Sequence, residues 1–249
     1  MKSWRQIAYS TISALYGVIK QVIPSPRGFR ILMYHAVGSE VPGDIRSMYS
    51  MTPERFKEQM QIFSEFASGR VTRLGEMSEQ GVAITFDDGY RDTLEVAAPI
   101  LTDLKIPFTV FVTPGFVLSG QPIYLSVAGL RELAAVPGVS IGAHGYSHCR
   151  LTECNTHQLQ EELTNSRKWL EDILGRPVTI MSYPYGAVDK HIRDAAAAAG
   201  YLLAASSKFG TNMSGYDPLW LARTDIWAQD DRRAFRAKLA GGWDWLKWR

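Results

Sequence analysis

The run Val82-Ala83-Ile84-Thr85-Phe86 ends abruptly in Asp87-Asp88-Gly89. No other stretch narrows the fold as far. A short apolar run of this kind reads as a buried strand. One that stops at paired carboxylates and a glycine turn delivers charge to the mouth of a sheet or barrel. Neighbouring residues of a strand point to opposite faces, so one carboxylate faces inward and the other turns away. Taken alone, the pair also fits the N-cap of the helix that follows.

The surrounding pattern favours the mouth of a sheet. Apolar runs at Phe29–Met33, Val82–Phe86, Phe108–Val112, Val139–Ala143, Val178–Tyr183, Tyr201–Ser206 and Leu219–Ile226 read as strands. Helical segments are expected from Thr52-Pro53-Glu54 with Phe56, Met60, Phe63 and Phe66 inward, and over Arg91–Leu104, Leu125–Val136, Thr156–Leu174, Val188–Ala199 and Asp231–Ala240. Alternation of this kind implies parallel strands joined by crossover helices, in a barrel or an open doubly wound sheet. The breaker cluster Pro24-Ser25-Pro26-Arg27-Gly28 divides residues 1–28, an amphipathic helix and linker, from a single domain at 29–249.

Charge excludes one class of partner. Twenty-seven basic against 25 acidic residues leave a net charge of +2, too small a field to hold nucleic acid. The two cysteines, Cys149 and Cys154, cannot build a disulfide framework and are expected to be inert thiols. Residues Ile7–Ile23 are too interrupted for a signal peptide or a membrane span. The expected location is therefore the cytoplasm or the cytoplasmic membrane face. The N-terminal helix is expected to pack on the domain and the C-terminal Trp243, Trp245 and Trp248 fit a segment docked on it, with peripheral membrane contact as the alternative for both.

Four predicted strands end in reactive-looking groups: His35; Asp87-Asp88; His144 with His148; and Tyr183 to Gly186. In a barrel these ends share one rim. Two histidines and one carboxylate make a three-ligand set, which leaves a metal's remaining position to water. The second carboxylate is then free to take a proton. Zinc held by Cys149, Cys154 and the histidines is a competing arrangement, although Cys149 adjoins His148 and would have to bend back. Tyr90, Tyr146, Tyr183 and Trp220 are candidate stacking surfaces for a substrate ring, with burial in the core as the default for each.

Thr85-Phe86-Asp87-Asp88-Gly89 and His144-x-x-x-His148 resemble the first two motifs of the polysaccharide deacetylases, the NodB-homology group of carbohydrate esterases. The likeness extends from about Phe29 to Asp230. It implies an irregular (β/α) barrel of about seven parallel strands and a hydrolase that removes N- or O-acetyl groups from a glycan or glycolipid. By the same resemblance Asp87 is the base. Asp88, His144 and His148 hold a divalent metal, Zn2+ foremost, with Co2+ or Ni2+ as alternatives.

Ser182-Tyr183-Pro184-Tyr185-Gly186 matches the third motif, in which the N–H at Tyr185 binds the oxyanion. Tyr183, Pro184 and Tyr146 are the expected substrate contacts. Ser182 stands where relatives often carry an arginine against the base, and Arg223 is expected to replace it. The late Leu-x-His motif is absent. Leu32-Met33-Tyr34-His35 instead resembles the opening motif of bacterial surface and biofilm polysaccharide deacetylases, so His35 is the expected acid or a substrate contact. These motifs leave open a non-sugar amide as substrate, or a carbohydrate binder that has lost turnover.

Overall fold

The computed structural model describes residues 11–13, 28–67, 69–76 and 80–248. Its strands are β1 (Gly28–Tyr34), β2 (Ala36–Val37), β3 (Ser50–Met51), β4 (Val82–Phe86), β5 (Phe108–Val112), β6 (Val139–Ala143), β7 (Ile180–Ser182), β8 (Leu203–Ala205), β9 (Asn212–Met213) and β10 (Thr224–Asp225). Seven of them lie side by side in the order β10-β1-β4-β5-β6-β7-β8, every neighbouring pair parallel. The sheet curls because the segment before β10 also meets the far edge. Ser206 N–H donates to Leu221 O at 2.8 Å, and Leu221 N–H to Ala204 O at 2.9 Å. The result is an irregular (β/α) barrel.

Local chemistry explains where the helices start and stop. Thr52 accepts from Arg55 N–H at 3.3 Å, and Pro53 opens the Pro53–Phe66 helix without losing a bond. Phe56, Met60 and Phe63 on its inner face are fully buried. Each such side chain contributes roughly 1.5–3 kcal/mol. Asn155 and Gln158 close a capping box on the Thr156–Leu174 helix, and Gly175 ends it at φ 64°.

The strands expected over Val178–Tyr183 and Tyr201–Ser206 shorten to Ile180–Ser182 and Leu203–Ala205, and two further elements come out differently. The single helix over Arg91–Leu104 is a π-turn, Thr93–Ala97, running into a helix at Ala98–Asp103. Pro99 cannot donate to the carbonyl one turn back, so the spiral widens before it. The last strand, expected over Leu219–Ile226, shortens to Thr224–Asp225. At Ala222 the Asn212 side-chain amide stands in for a strand: its Oδ1 accepts at 2.8 Å and its Nδ2 donates at 2.9 Å.

Of the expected N-terminal helix, residues 11–13 are described and are helical. The remainder lies outside the described residues. Ser13 is buried, and its Oγ accepts from Trp245 Nε1 at 3.0 Å. Trp243 is buried edge-on against Trp227, with centroids 5.5 Å apart. This tryptophan therefore serves the core, not an outer surface. Among the described residues no helix is long and apolar enough to cross a membrane.

Candidate active site

The C-terminal ends of β1, β4, β6, β7 and β10 open into a cavity of about 850 Å³. His35, Asp87, Asp88, His144, His148, Tyr185, Arg223 and Asp225 line it, together with Val41 to Arg46 from the loop between β2 and β3. Asp87 and Asp88 are buried and cap no helix. Main-chain bonds fix the rim: Asp87 N–H donates to Tyr34 O and His144 N–H to Val112 O, each at 3.0 Å.

Asp88, His144 and His148 each bring one donor atom into a group whose members lie within 4.8 Å of one another. Asp88 Oδ1 is 3.1 Å from His148 Nε2 and 3.5 Å from His144 Nε2. His144 Nδ1 lies 2.9 Å from the Ser182 carbonyl oxygen. Ser182 Oγ also lies 2.6 Å from Nδ1 and can take either role; with the carbonyl, which only accepts, as partner, Nδ1 carries the proton and Nε2 turns a lone pair toward the cluster. Burial pushes His144 down to about 4, which keeps that imidazole neutral near pH 7. Asp88 Oδ1 is buried and, although His148 Nε2 lies 3.1 Å away, no aligned hydrogen bond reaches it among the described residues. A buried carboxylate oxygen beside a neutral imidazole lacks a compensating cation. The donor set fits a divalent ion with an open position.

Asp87 is held differently. Arg223 Nη1 and Nη2 each donate to one of its carboxylate oxygens at 2.7 Å, a bidentate pair buried at both ends. Burial alone would raise the Asp87 pKa. The Arg223 charge, helped by His144, outweighs burial and holds the carboxyl far below the usual carboxylate range. Arg223 is itself fixed by donating from Nε to Ser206 O at 2.8 Å. Arg223 is thus the cation that pairs with Asp87, and the Ser182 hydroxyl lies 3.4 Å from Asp87 Oδ1.

His35 sits across the cavity with its ring 4.3 Å from that of Tyr49, and its buried Nδ1 has no hydrogen-bond partner among the described residues. Asp225 is the residue the sequence reading missed. Burial raises its pKa, with the His35 charge acting in the opposite sense. Trp227 Nε1 donates to its Oδ2 at 2.7 Å. The signal was available: Arg223, Asp225 and Trp227 alternate, so along an extended strand they share a face.

Tyr185 presents its ring at the wall, 57% exposed and 4.7 Å from the His148 ring. Tyr185, Asp88 and His148 all have positive φ, at 59°, 74° and 64°. This sparsely populated region costs of order 1–3 kcal/mol per residue and clusters at working sites. Gly186, at φ 62°, has no room for a side chain because a Cβ would collide with the Ser207 hydroxyl and main-chain nitrogen.

Three expected substrate contacts do not reach the cavity. Tyr183 is fully buried and spends its hydroxyl on Leu219 O at 2.7 Å. Pro184 is buried beneath the same turn. Tyr146 is half-buried outside the cavity lining, its N–H tied to Glu162 at 2.7 Å. Of the stacking candidates, Tyr90 lines the cavity and stacks on Tyr124 at 5.3 Å, while Trp220 lies elsewhere. The cysteines do not join the ligand set; among the described residues that set is Asp88, His144 and His148.

The chain is similar to known proteins. The chain is 28% identical over 194 residues to YxkH of Bacillus subtilis (strain 168), named as a candidate polysaccharide deacetylase; the match covers 74% of this chain and 66% of YxkH. It is 29% identical over 116 residues to the peptidoglycan-N-acetylglucosamine deacetylase PgdA of Listeria monocytogenes, covering 45% of this chain and 23% of PgdA. The chain thus spans less than two thirds of either relative. The Streptococcus pyogenes deacetylase PplD, solved with acetate, superposes with a TM-score of 0.75 at 23% identity, over 86% of this chain and 99% of PplD. The sequence profile named Polysaccharide deacetylase matches residues 75–204, over half of the molecule, and the chain belongs to that family.

Proposed function

We propose that the chain hydrolyses the N-acetyl group of a sugar in a glycan or glycolipid, using a divalent ion, Zn2+ foremost, held by Asp88, His144 and His148. One observation carries this reading. A three-donor set with an orphaned buried carboxylate oxygen lies beside a second carboxylate, Asp87, that is committed to a separate partner. The name of PgdA, which specifies N-acetylglucosamine, supports a sugar of that type.

The ion, when bound, supplies Lewis acidity: it acidifies water and polarises the acetyl carbonyl. Asp87 accepts the proton of the attacking water. Arg223 keeps it anionic, and its Oδ2 lies 3.8 Å from His144 Nε2, next to the ligand set but outside it. Tyr185 N–H is assigned to the developing oxyanion. His35 gives a proton to the departing amine, and Asp225 stabilises the imidazolium that does so. The C–N bond breaks, the acetyl carbon keeps the water oxygen, and acetate and a free amino sugar leave.

Acetate release from N-acetylglucosamine oligomers, measured with and without chelator, tests this reading. Release should stop with chelator, return with Zn2+ or Co2+, and fall about 10²–10⁴-fold in His35→Gln and in Asp87→Asn. A metal-loaded chain that frees acetate from no acylated sugar would instead be a binder. One that cleaves only small non-sugar amides would keep the chemistry and overturn the substrate.

A further inference from the structure

Cys149 and Cys154 take no part in the reaction above, yet their sulfurs lie 3.1 Å apart. The turn between them places them so. Leu151–Glu153 forms a short 3-10 turn, Cys154 N–H donates to Leu151 O at 3.2 Å, and Leu151 is fully buried. A disulfide needs sulfurs at about 2.05 Å, so about 1 Å of closure joins them. Both sulfurs are half-buried at the margin of the core, and Leu151 between them is the fully buried anchor.

Their position gives the pair a consequence. Cys149 directly follows His148. Arg150, inside the prospective ring, sets its guanidinium 4.9 Å over the Tyr185 ring. Both Arg150 and Tyr185 line the cavity. We propose that Cys149 and Cys154 form a reversible disulfide that locks the Arg150–Tyr185 wall while leaving the Asp88, His144 and His148 set in place. Ring closure is detected without any turnover and stands apart from the catalytic reading, whereas the preserved ligand set rests on that reading.

The oxidant is a small disulfide such as glutathione disulfide. One protein thiolate attacks it and releases one reduced thiol. The second protein sulfur then attacks the mixed disulfide and releases the other. Two protein sulfurs are oxidised by two electrons in all, the reagent is reduced by two, and two protons pass to the released thiols. Uncatalysed exchange of this kind takes minutes to hours.

The test treats the zinc-loaded chain with excess glutathione disulfide or with dithiothreitol, then denatures it in iodoacetamide and weighs it. The oxidised sample should lose the mass of two hydrogens and take up no alkyl group. Dithiothreitol should restore two alkylation sites. The oxidised form should melt roughly 4–8 °C higher, as expected for a short added loop in a chain of this size, with zinc affinity within threefold of the reduced form. Three results would overturn the proposal: both sulfurs remaining alkylatable, glutathione adducts persisting without ring closure, or a tenfold or greater loss of zinc affinity on oxidation.

Discussion

Asp87 is the residue whose state decides the most, and Arg223 is what sets it. A buried carboxylate paired by two 2.7 Å bonds loses its main compensation when the guanidinium is removed. Arg223→Ala should therefore cost about 3–5 kcal/mol at neutral pH, read by urea unfolding. The pH dependence has a definite sign. The folded pKa of Asp87 is depressed, so the pair's contribution is full above its unfolded value near 3.9 and fades as pH falls through the lower folded value. The gap between wild type and Arg223→Ala should narrow in strong acid; a gap that is constant with pH would contradict the pairing. Arg223 was legible because Ser182 left the base without its usual partner. Asp225 was not, because one carboxylate in a strand-like run has no motif of its own. Its meaning comes from alternation with Arg223, once the rim is known.

At the level of elements, the strand ends aim the donors and one helix holds the turn that carries two of them. Glu162, on the Thr156–Leu174 helix, accepts from Tyr146 N–H at 2.7 Å, from Ser147 N–H at 3.0 Å and from Ser147 Oγ at 2.5 Å. This carboxylate clamps the backbone between His144 and His148. Glu162→Gln keeps the shape but weakens charge-assisted bonds, and should cut zinc affinity about tenfold or more, in the manner of groups that orient metal ligands. Competition with a chromophoric chelator reads this, and unchanged affinity would show that the turn holds itself. The motif spacing revealed the turn, whereas Glu162 lies 14 residues beyond His148 on a helix whose exposed face gives no hint of it. Strands β4, β5 and β6 were legible to the residue because each is a dense apolar run between breakers. β10 was overestimated because a side chain, Asn212, does the work of a strand beside it.

For the whole molecule, closure of the barrel converts scattered motifs into one site. Thr224–Asp225 pairs with β1 while Leu221 bonds to β8, so the same segment closes the sheet and delivers Arg223 to Asp87. His35 and Asp225, from distant parts of the sequence, line one cavity for the same reason. The tryptophans near the C-terminus, which sequence alone left between core and membrane, divide: Trp243 is core and Trp245 ties to Ser13. The measurement that tests the account most directly is metal content after zinc loading and dialysis, compared across variants. The wild type and Asp87→Asn should each retain one ion per chain, while Asp88→Asn and the double change His144→Ala, His148→Ala should retain none. A wild type that holds no ion, or an ion that survives loss of both imidazoles, would contradict it.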